Sequence, residues 1–268
     1  MCLYSASECD AIARQVIEYV TQKPYSPVFV YELNDEKWSE YQQIKSRLQK
    51  YEPLQYILQK AYFFDLEFYV NQSVLIPRPE TEEMVEWLIN KIKPDACGSY
   101  RKLLDIGTGS GCIAITLKKK LPSLEVYAWE ISPAAIEVAE HNAIQNQVKV
   151  HFLQQDLFQS PIETAFSNFD CVISNPPYIP WQEKAALSKN VVDYEPYLAL
   201  FVPDNNPLLF YEAIALRAKH VPVPLVTEVH QSYAYEVKKL YLNMGLKNVQ
   251  IHKDISNHDR WVTANFLS

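Results

Sequence analysis

The sequence predicts a doubly wound α/β fold, with a mostly parallel sheet, an antiparallel edge, a small helical N-terminal segment and a β-hairpin or extended linker between them. Three observations carry that prediction. From residue 101 onward, short apolar runs alternate with amphipathic helical stretches, the pattern of βαβ units. A glycine cluster (Gly107, Gly109, Gly111) sits where the first of those runs passes into a helix, in a chain with only 5 glycines. Prolines at 24, 27, 77 and 79 punctuate the chain ahead of the alternation. The expected divisions are a helical region over 1–60, a hairpin or linker over 61–77 and the sheet-forming region over 78–268.

The elements follow in order. Cys9 to Val20 places Ile12, Val16, Ile17 and Val20 at helical spacing, with Ser7 as the N-cap. Glu36 to Tyr51 reads as a second helix. Tyr62 to Ile76 switches to alternation, with Phe64, Leu66, Phe68 and Val70, then Val74 and Ile76, and Asn71-Gln72-Ser73 between the two runs. Glu80 to about Ile92 reads as a helix whose acidic first turn suits the helix dipole. Then come strand 102–106, helix 111–120, strand 125–129, helix 133–144 with Ser132 as cap, and strands 148–153 and 170–174. Helix 208–218, strand 225–229 and helix 233–243, ending at Gly245, lead to two closing strands at 249–253 and 261–265.

The net charge of -7 argues against nucleic acid, because an acidic chain gains nothing from phosphate attraction. The one basic run, Lys118-Lys119-Lys120, ends a helix just before Pro122, where cations complement the C-terminal dipole. Cys2, Cys9, Cys97, Cys112 and Cys171 show no metal-ligand spacing, and Cys112 and Cys171 sit in apolar runs as core residues. An odd, scattered set points to a reducing compartment. The N-terminus carries no basic and apolar leader, and no apolar run is long enough to span a bilayer, so a cytoplasmic protein without membrane or metal is expected.

Asp105-Ile106-Gly107-Thr108-Gly109-Ser110-Gly111 follows a strand and opens a helix, at the sheet end where α/β folds bind ligands. The spacing is G-x-G-x-G, tighter than the dinucleotide fingerprint, and suits a nucleoside with an amino-acid tail. Glycines let the backbone approach the ligand, and the helix N-terminus offers N–H groups. Glu130, at the end of the next strand, is placed to accept two hydrogen bonds from ribose hydroxyls. Asp156 follows the third strand and is placed to accept from an adenine amino group, with Leu157 against the ring face.

Asn175-Pro176-Pro177-Tyr178 directly follows the strand at 170–174. Two prolines fix φ and remove two N–H donors, so the carbonyls of Asn175 and Pro176 face no competing local donor. The Asn175 side chain adds another acceptor. An amide or exocyclic amino nitrogen is a poor nucleophile because its lone pair is delocalised. Two acceptors that grip its N–H bonds orient it and stabilise the positive charge that grows as it attacks a methyl sulfonium. Tyr178 can pack flat on the planar group.

These residues resemble the HemK/PrmC family, the release factor glutamine N5-methyltransferases. The likeness runs through Glu52-Pro53-Leu54-Gln55-Tyr56-Ile57, Leu75 to Thr81, Asp105 to Gly111, Ile131-Ser132-Pro133, Asn175 to Pro180 and Asp259-Arg260. It implies a class I, Rossmann-like methyltransferase domain over 78–268 that uses S-adenosyl-L-methionine and releases S-adenosyl-L-homocysteine. It further implies that Gly107, Thr108, Gly109, Ser110, Gly111, Glu130, Asp156, Leu157 and Asn175 line the cofactor site. Asn175, Pro176, Pro177 and Tyr178 would hold the substrate glutamine, with Asn175, Pro176 and Tyr178 catalytic. The substrate would be the Gly-Gly-Gln loop of peptide chain release factors, engaged with help from the helical region at 1–60. This chain departs from the family in having Glu130 for the usual Asp, Val202 to Pro207 for a glycine-containing stretch, and His220 to Pro224 for Lys-Pro-Gly-Gly. Two rivals stand beside this reading. An adenine-N6 DNA methyltransferase would use the same Asn-Pro-Pro-Tyr chemistry after base flipping. A cofactor-binding scaffold would have no use for an amide clamp.

Overall fold

The computed structural model describes residues 5–28, 31–92 and 101–266. Helix α1 (Ala6–Thr21) begins about a turn and a half before the periodic run at Ile12. Its cap is Ser5, not the expected Ser7: Ser5 Oγ accepts from Glu8 N at 3.3 Å while Ser5 N donates to Glu8 Oε2 at 2.7 Å. That reciprocal box needs a glutamate three residues after the cap, which Ser5 has and Ser7 lacks. Helix α2 (Asp35–Leu48) is capped by Asn34, and a short α3 (Leu54–Leu58) follows Pro53. Val16, Val20, Ile44, Leu54 and Ile57 bury one another in a core private to these helices.

The hairpin forms one turn earlier than expected. Strands β1 (Ala61–Phe63) and β2 (Leu66–Phe68) pair antiparallel around Phe64 and Asp65, both left-handed at φ 53° and 61°. Two consecutive left-handed residues match the twist of a two-residue hairpin turn. The 71–73 segment is a turn after the hairpin, and Val74 and Ile76 are buried without joining a strand.

Helix α4 (Pro79–Ile92) leads into β3 (Lys102–Ile106), α5 (Cys112–Lys120), β4 (Glu125–Glu130), α6 (Pro133–Gln145), β5 (His151–Gln154) and β6 (Cys171–Ser174). A segment that alternation did not reveal comes next: β7 (Ile179–Pro180), α7 (Lys189–Val192), α8 (Tyr197–Leu200) and β8 (Phe201–Val202), with β7 and β8 paired. Helix α9 (Leu209–His220), β9 (Leu225–Glu228), α10 (Ala234–Asn243), β10 (Gln250–Lys253) and β11 (Asp259–Ala264) complete the chain.

The main sheet has seven strands in the order β10-β11-β9-β6-β3-β4-β5. β9, β6, β3, β4 and β5 are mutually parallel, and β11 runs antiparallel to both of its neighbours. The order reverses between β3 and β6, which opens a crevice at their carboxyl ends. Leu103, Cys171, Ile173 and Val226 pack with α4 and α5, while Leu104, Val172 and Leu225 pack with α9 and α10. That period-2 division explains why these strands read as continuous apolar runs: both faces are buried. Cys171 is buried and Cys112 is packed beside the core, whereas Cys2 and Cys97 lie outside the described residues. Lys118 and Lys119 cap backbone carbonyls at the end of α5, donating to Pro122, Leu124 and Asn146. Among the described residues, no helix is long and apolar enough to cross a membrane.

Candidate active site

The crevice between β3 and β6 holds a cavity of about 320 Å³, at the small end of the range for ligand pockets. Its first wall is the turn out of β3. Gly107 and Gly109 have φ of 71° and 55°, which costs little only without a side chain. Gly111, at φ 80°, also serves packing, since a Cβ there would lie 2.8 Å from Ile115 Cδ1 and 3.2 Å from Ala139 Cβ. The turn is held from below. Gly107 N and Thr108 N donate to Trp129 O at 2.8 and 3.1 Å, and Gly111 N donates to Thr108 O at 2.9 Å. These amides are therefore occupied, and the loop offers a ligand its shape more than its donors.

Glu130 ties the same turn from the next strand. Its Oε2 accepts from Gly109 N at 3.0 Å, and its Oε1 accepts from Ile131 N and Ser132 N at 2.8 and 3.0 Å. A carboxylate has about four acceptor sites. Three are filled, which leaves one open on Oε2, where the sequence reading expects two. Asp156 likewise caps a short turn, accepting from Phe158 N at 2.8 Å and Gln159 Nε2 at 2.9 Å. Beneath the turn, Asp105 is wholly buried. Its Oδ2 accepts from Thr108 Oγ1 at 2.6 Å, and its Oδ1 has no partner among the described residues. Burial pushes its pKa up to about 7, against the Thr108 hydrogen bond and with help from the Glu130 charge.

The second wall is the turn out of β6. Outside the sheet ladders, no N–H among the described residues donates to the carbonyl of Asn175 or Pro176. Asn175 Nδ2 donates to Thr81 Oγ1 at 3.1 Å. Thr81, in the first turn of α4, donates in turn to Glu228 Oε2 at 2.6 Å, and Tyr178 Oη donates to Glu228 Oε1 at 3.2 Å. Glu228 ends β9 and is buried, and burial raises its pKa to about 7 against its two hydroxyl donors and the Arg260 charge.

A third wall comes from two distant segments. Arg78 Nη2 pairs with Glu195 Oε1 at 2.5 Å, and Ile76 N donates to Glu195 Oε2 at 3.3 Å. This clamps the Pro-Arg-Pro stretch to the segment carrying Pro196 and Leu198, both of which face the cavity. Tyr194 Oη donates to Lys50 O at 2.8 Å, so the same segment touches the helical N-terminal region.

Of the residues singled out from sequence, Gly107, Thr108, Gly109, Ser110, Glu130, Asp156, Leu157, Asn175 and Pro177 line this one cavity. Gly111, Pro176 and Tyr178 do not. Gly111 lies under the helix crossing, Pro176 is buried, and Tyr178 reaches Glu228 with its hydroxyl. Residues that sequence reasoning missed include Thr81, Glu195, Phe158, Phe210 and Leu198. Only Thr81 leaves a trace, as the last residue of the Leu75 to Thr81 stretch.

A family model described as Methyltransferase small domain matches residues 81–193. A release factor glutamine methyltransferase of Flavobacterium psychrophilum is 44% identical over 223 residues, covering 82% of this chain and 78% of its own. The chain belongs to the release factor glutamine methyltransferase family. A Bacteroides thetaiotaomicron member is 44% identical, with 85% of this chain and 81% of its own covered. Among solved structures, the hMettl16 catalytic domain in complex with MAT2A 3'UTR hairpin 6 aligns with a TM-score of 0.61 at 17% identity, covering 95% of this chain and 91% of that one. At that identity the likeness is one of fold. The release factor glutamine methyltransferase family therefore supplies the sequence kinship, and the class I methyltransferase fold supplies the frame.

Proposed function

We propose that the protein transfers a methyl group from S-adenosyl-L-methionine to the side-chain amide nitrogen (N5) of the glutamine in the Gly-Gly-Gln motif of peptide chain release factors, leaving S-adenosyl-L-homocysteine. One observation carries this reading: the glycine turn with Glu130 and the Asn175 amide share a single cavity. The residues suit that cofactor, since Glu130 lines the cavity and keeps one acceptor site on Oε2 for a ribose hydroxyl. Bound there, the cofactor supplies an electrophilic sulfonium methyl. Asp156 and Leu157 serve the adenine, by a carboxylate acceptor and an apolar side chain. The side-chain carbonyl of Asn175, which lines the cavity, accepts from a substrate amide N–H, which orients the nitrogen and stabilises charge as it develops. Pro177 keeps that turn free of a competing donor. No strong base is needed, because a methylated amide cation loses its proton readily.

Under this reading the helical region at 1–60 helps to seat the release factor, and Tyr194 on Lys50 links it to the cavity rim. A cytoplasmic setting fits the scattered cysteines. The test is to incubate the protein with isotopically labelled cofactor and either release factor or duplex DNA, and to map label by mass spectrometry. A single added methyl on the Gly-Gly-Gln glutamine is expected. Label in DNA alone, or on another residue, would overturn the assignment.

A further inference from the structure

An asparagine side chain has two ends of nearly equal size and opposite hydrogen-bonding character. Its oxygen accepts and its NH2 donates, so turning the amide over costs little in packing. For a site that must grip the N–H bonds of a substrate amide, the difference is decisive. With oxygen presented to the cavity, Asn175 is an acceptor. Turned over, it would set its own NH2 against the substrate's NH2. Some partner must choose between the two states.

Thr81 alone cannot make that choice, because a hydroxyl both donates and accepts. Its other neighbour can. Glu228 is buried, and as an ionised carboxylate it only accepts. The Thr81 hydrogen is committed to Glu228 Oε2 at 2.6 Å, so toward Asn175 the hydroxyl oxygen can only receive. It receives Asn175 Nδ2 at 3.1 Å, which leaves the asparagine's oxygen as the free end at the cavity. The other oxygen of Glu228 takes Tyr178 Oη at 3.2 Å, and its backbone carbonyl takes Tyr211 Oη at 3.0 Å. One carboxylate thereby organises both polar side chains of the Asn-Pro-Pro-Tyr turn, from positions far away in the chain.

Resting on the proposed methyl transfer to an amide, we propose that Thr81 and Glu228 are positioning residues that fix the polarity of the Asn175 amide through a one-directional hydrogen-bond relay. Neither has to touch the reacting atoms. Burial favours the neutral acid at Glu228, while the two hydroxyl donors and Arg260 on β11 favour the ionised, acceptor-only form, so the relay is at full strength above the neutral range.

The test uses the full-length protein at pH 8 with S-adenosyl-L-methionine and intact release factor. Thr81→Val keeps the volume and removes the hydroxyl. It is expected to lower kcat about 10- to 100-fold, the range for removing an outer partner of a functional group. Binding of S-adenosyl-L-homocysteine by calorimetry should stay within about threefold, since the lost bond is not to the nucleoside wall. Thr81→Ser restores the hydroxyl without the methyl and is expected to recover at least about a third of wild-type kcat. Should Thr81→Val fold poorly, Thr81→Ala, acceptable in a helix first turn, carries the same expectation. Wild-type kcat in Thr81→Val or Thr81→Ala would overturn the relay. So would equal loss in Thr81→Ser and Thr81→Val, which would assign the effect to packing. A wild-type protein that methylates no release-factor glutamine would instead sink the function proposed above, so the two failures are distinguishable.

Discussion

The two main walls of the cavity solve the same problem by different means. On the glycine-turn side, proposed to hold the nucleoside, Glu130 and Asp105 hold a turn by gripping neighbours no more than about two dozen residues away, through backbone amides and one threonine. On the amide side, Asn175 is held by Thr81 and Thr81 by Glu228, at sequence separations of 94 and 147. Each side buries a carboxylate that is lifted to about 7, yet Asp105 keeps one oxygen bare while both oxygens of Glu228 accept a hydroxyl. The nucleoside wall is a local device that any fold with this strand-turn-helix can build. The amide wall depends on three parts of the sheet region meeting in register.

The comparison is tested most severely at Asn175. If the amide side performs the chemistry and the glycine side performs the binding, Asn175→Ala separates the two. Methyl transfer to release factor is expected to fall about 100- to 1,000-fold, as when a donor or acceptor aimed at developing charge is removed. Affinity for S-adenosyl-L-homocysteine should change by less than about threefold. Equal loss of both would show that Asn175 belongs to the nucleoside wall.

Asp105 offers the next largest effect, on stability. Its folded pKa lies near 7 and its ordinary value near 3.8. A carboxyl raised in this way contributes most below its unfolded value, and that contribution is lost as pH rises toward and through about 7. Relative to Asp105→Asn, the ligand-free wild type should therefore lose about 2–3 kcal/mol between pH 5 and pH 8. Glu228 is shifted in the same direction but is present in both proteins, so its share cancels. Denaturant midpoints for the pair at each pH measure the difference. A gap that stays constant across that range would mean that Asp105 finds a partner for its second oxygen.

The same contrast explains what was legible in the sequence. The β3 to α6 stretch could be read nearly residue by residue, because Gly107 to Gly111, Ser132-Pro133 and the apolar strands act on near neighbours. Asn175 to Tyr178 stand out in the sequence through two prolines that remove backbone donors. Their supports do not: Thr81 looks like any polar residue in a helix first turn, and Glu228 like any acid ending a strand, until β9 comes to lie beside β6. Segment 179–202 was opaque because its pieces are short and its order comes from Trp181 stacked on Phe201 at 4.4 Å and from the Arg78–Glu195 clamp, none of which is periodic. The hairpin was misplaced because turn chemistry favours Asn71-Gln72-Ser73, whereas Phe64 and Asp65 adopt left-handed backbone under the pull of the β1–β2 register. Ser5 was passed over as a cap because the apolar period begins only at Ile12, a turn and a half into α1.

The smallest effect is expected at Glu130, and it sharpens the contrast from the other side. Glu130→Gln keeps one oxygen and loses the charge, so one of its two oxygen positions now presents an NH2 to amides that themselves donate. The turn loses its best-matched acceptor, and the one site left for a ribose hydroxyl goes with it if the NH2 faces Gly109. Affinity for S-adenosyl-L-homocysteine is expected to fall about tenfold, equivalent to about 1.4 kcal/mol. At saturating cofactor, kcat should remain within about threefold of wild type, since Asn175 and its partners are untouched. Calorimetry and steady-state kinetics on one preparation give both numbers. A kcat that falls as far as the affinity would show that the glycine turn also aligns the methyl donor, and the division between a binding wall and a chemical wall would not hold.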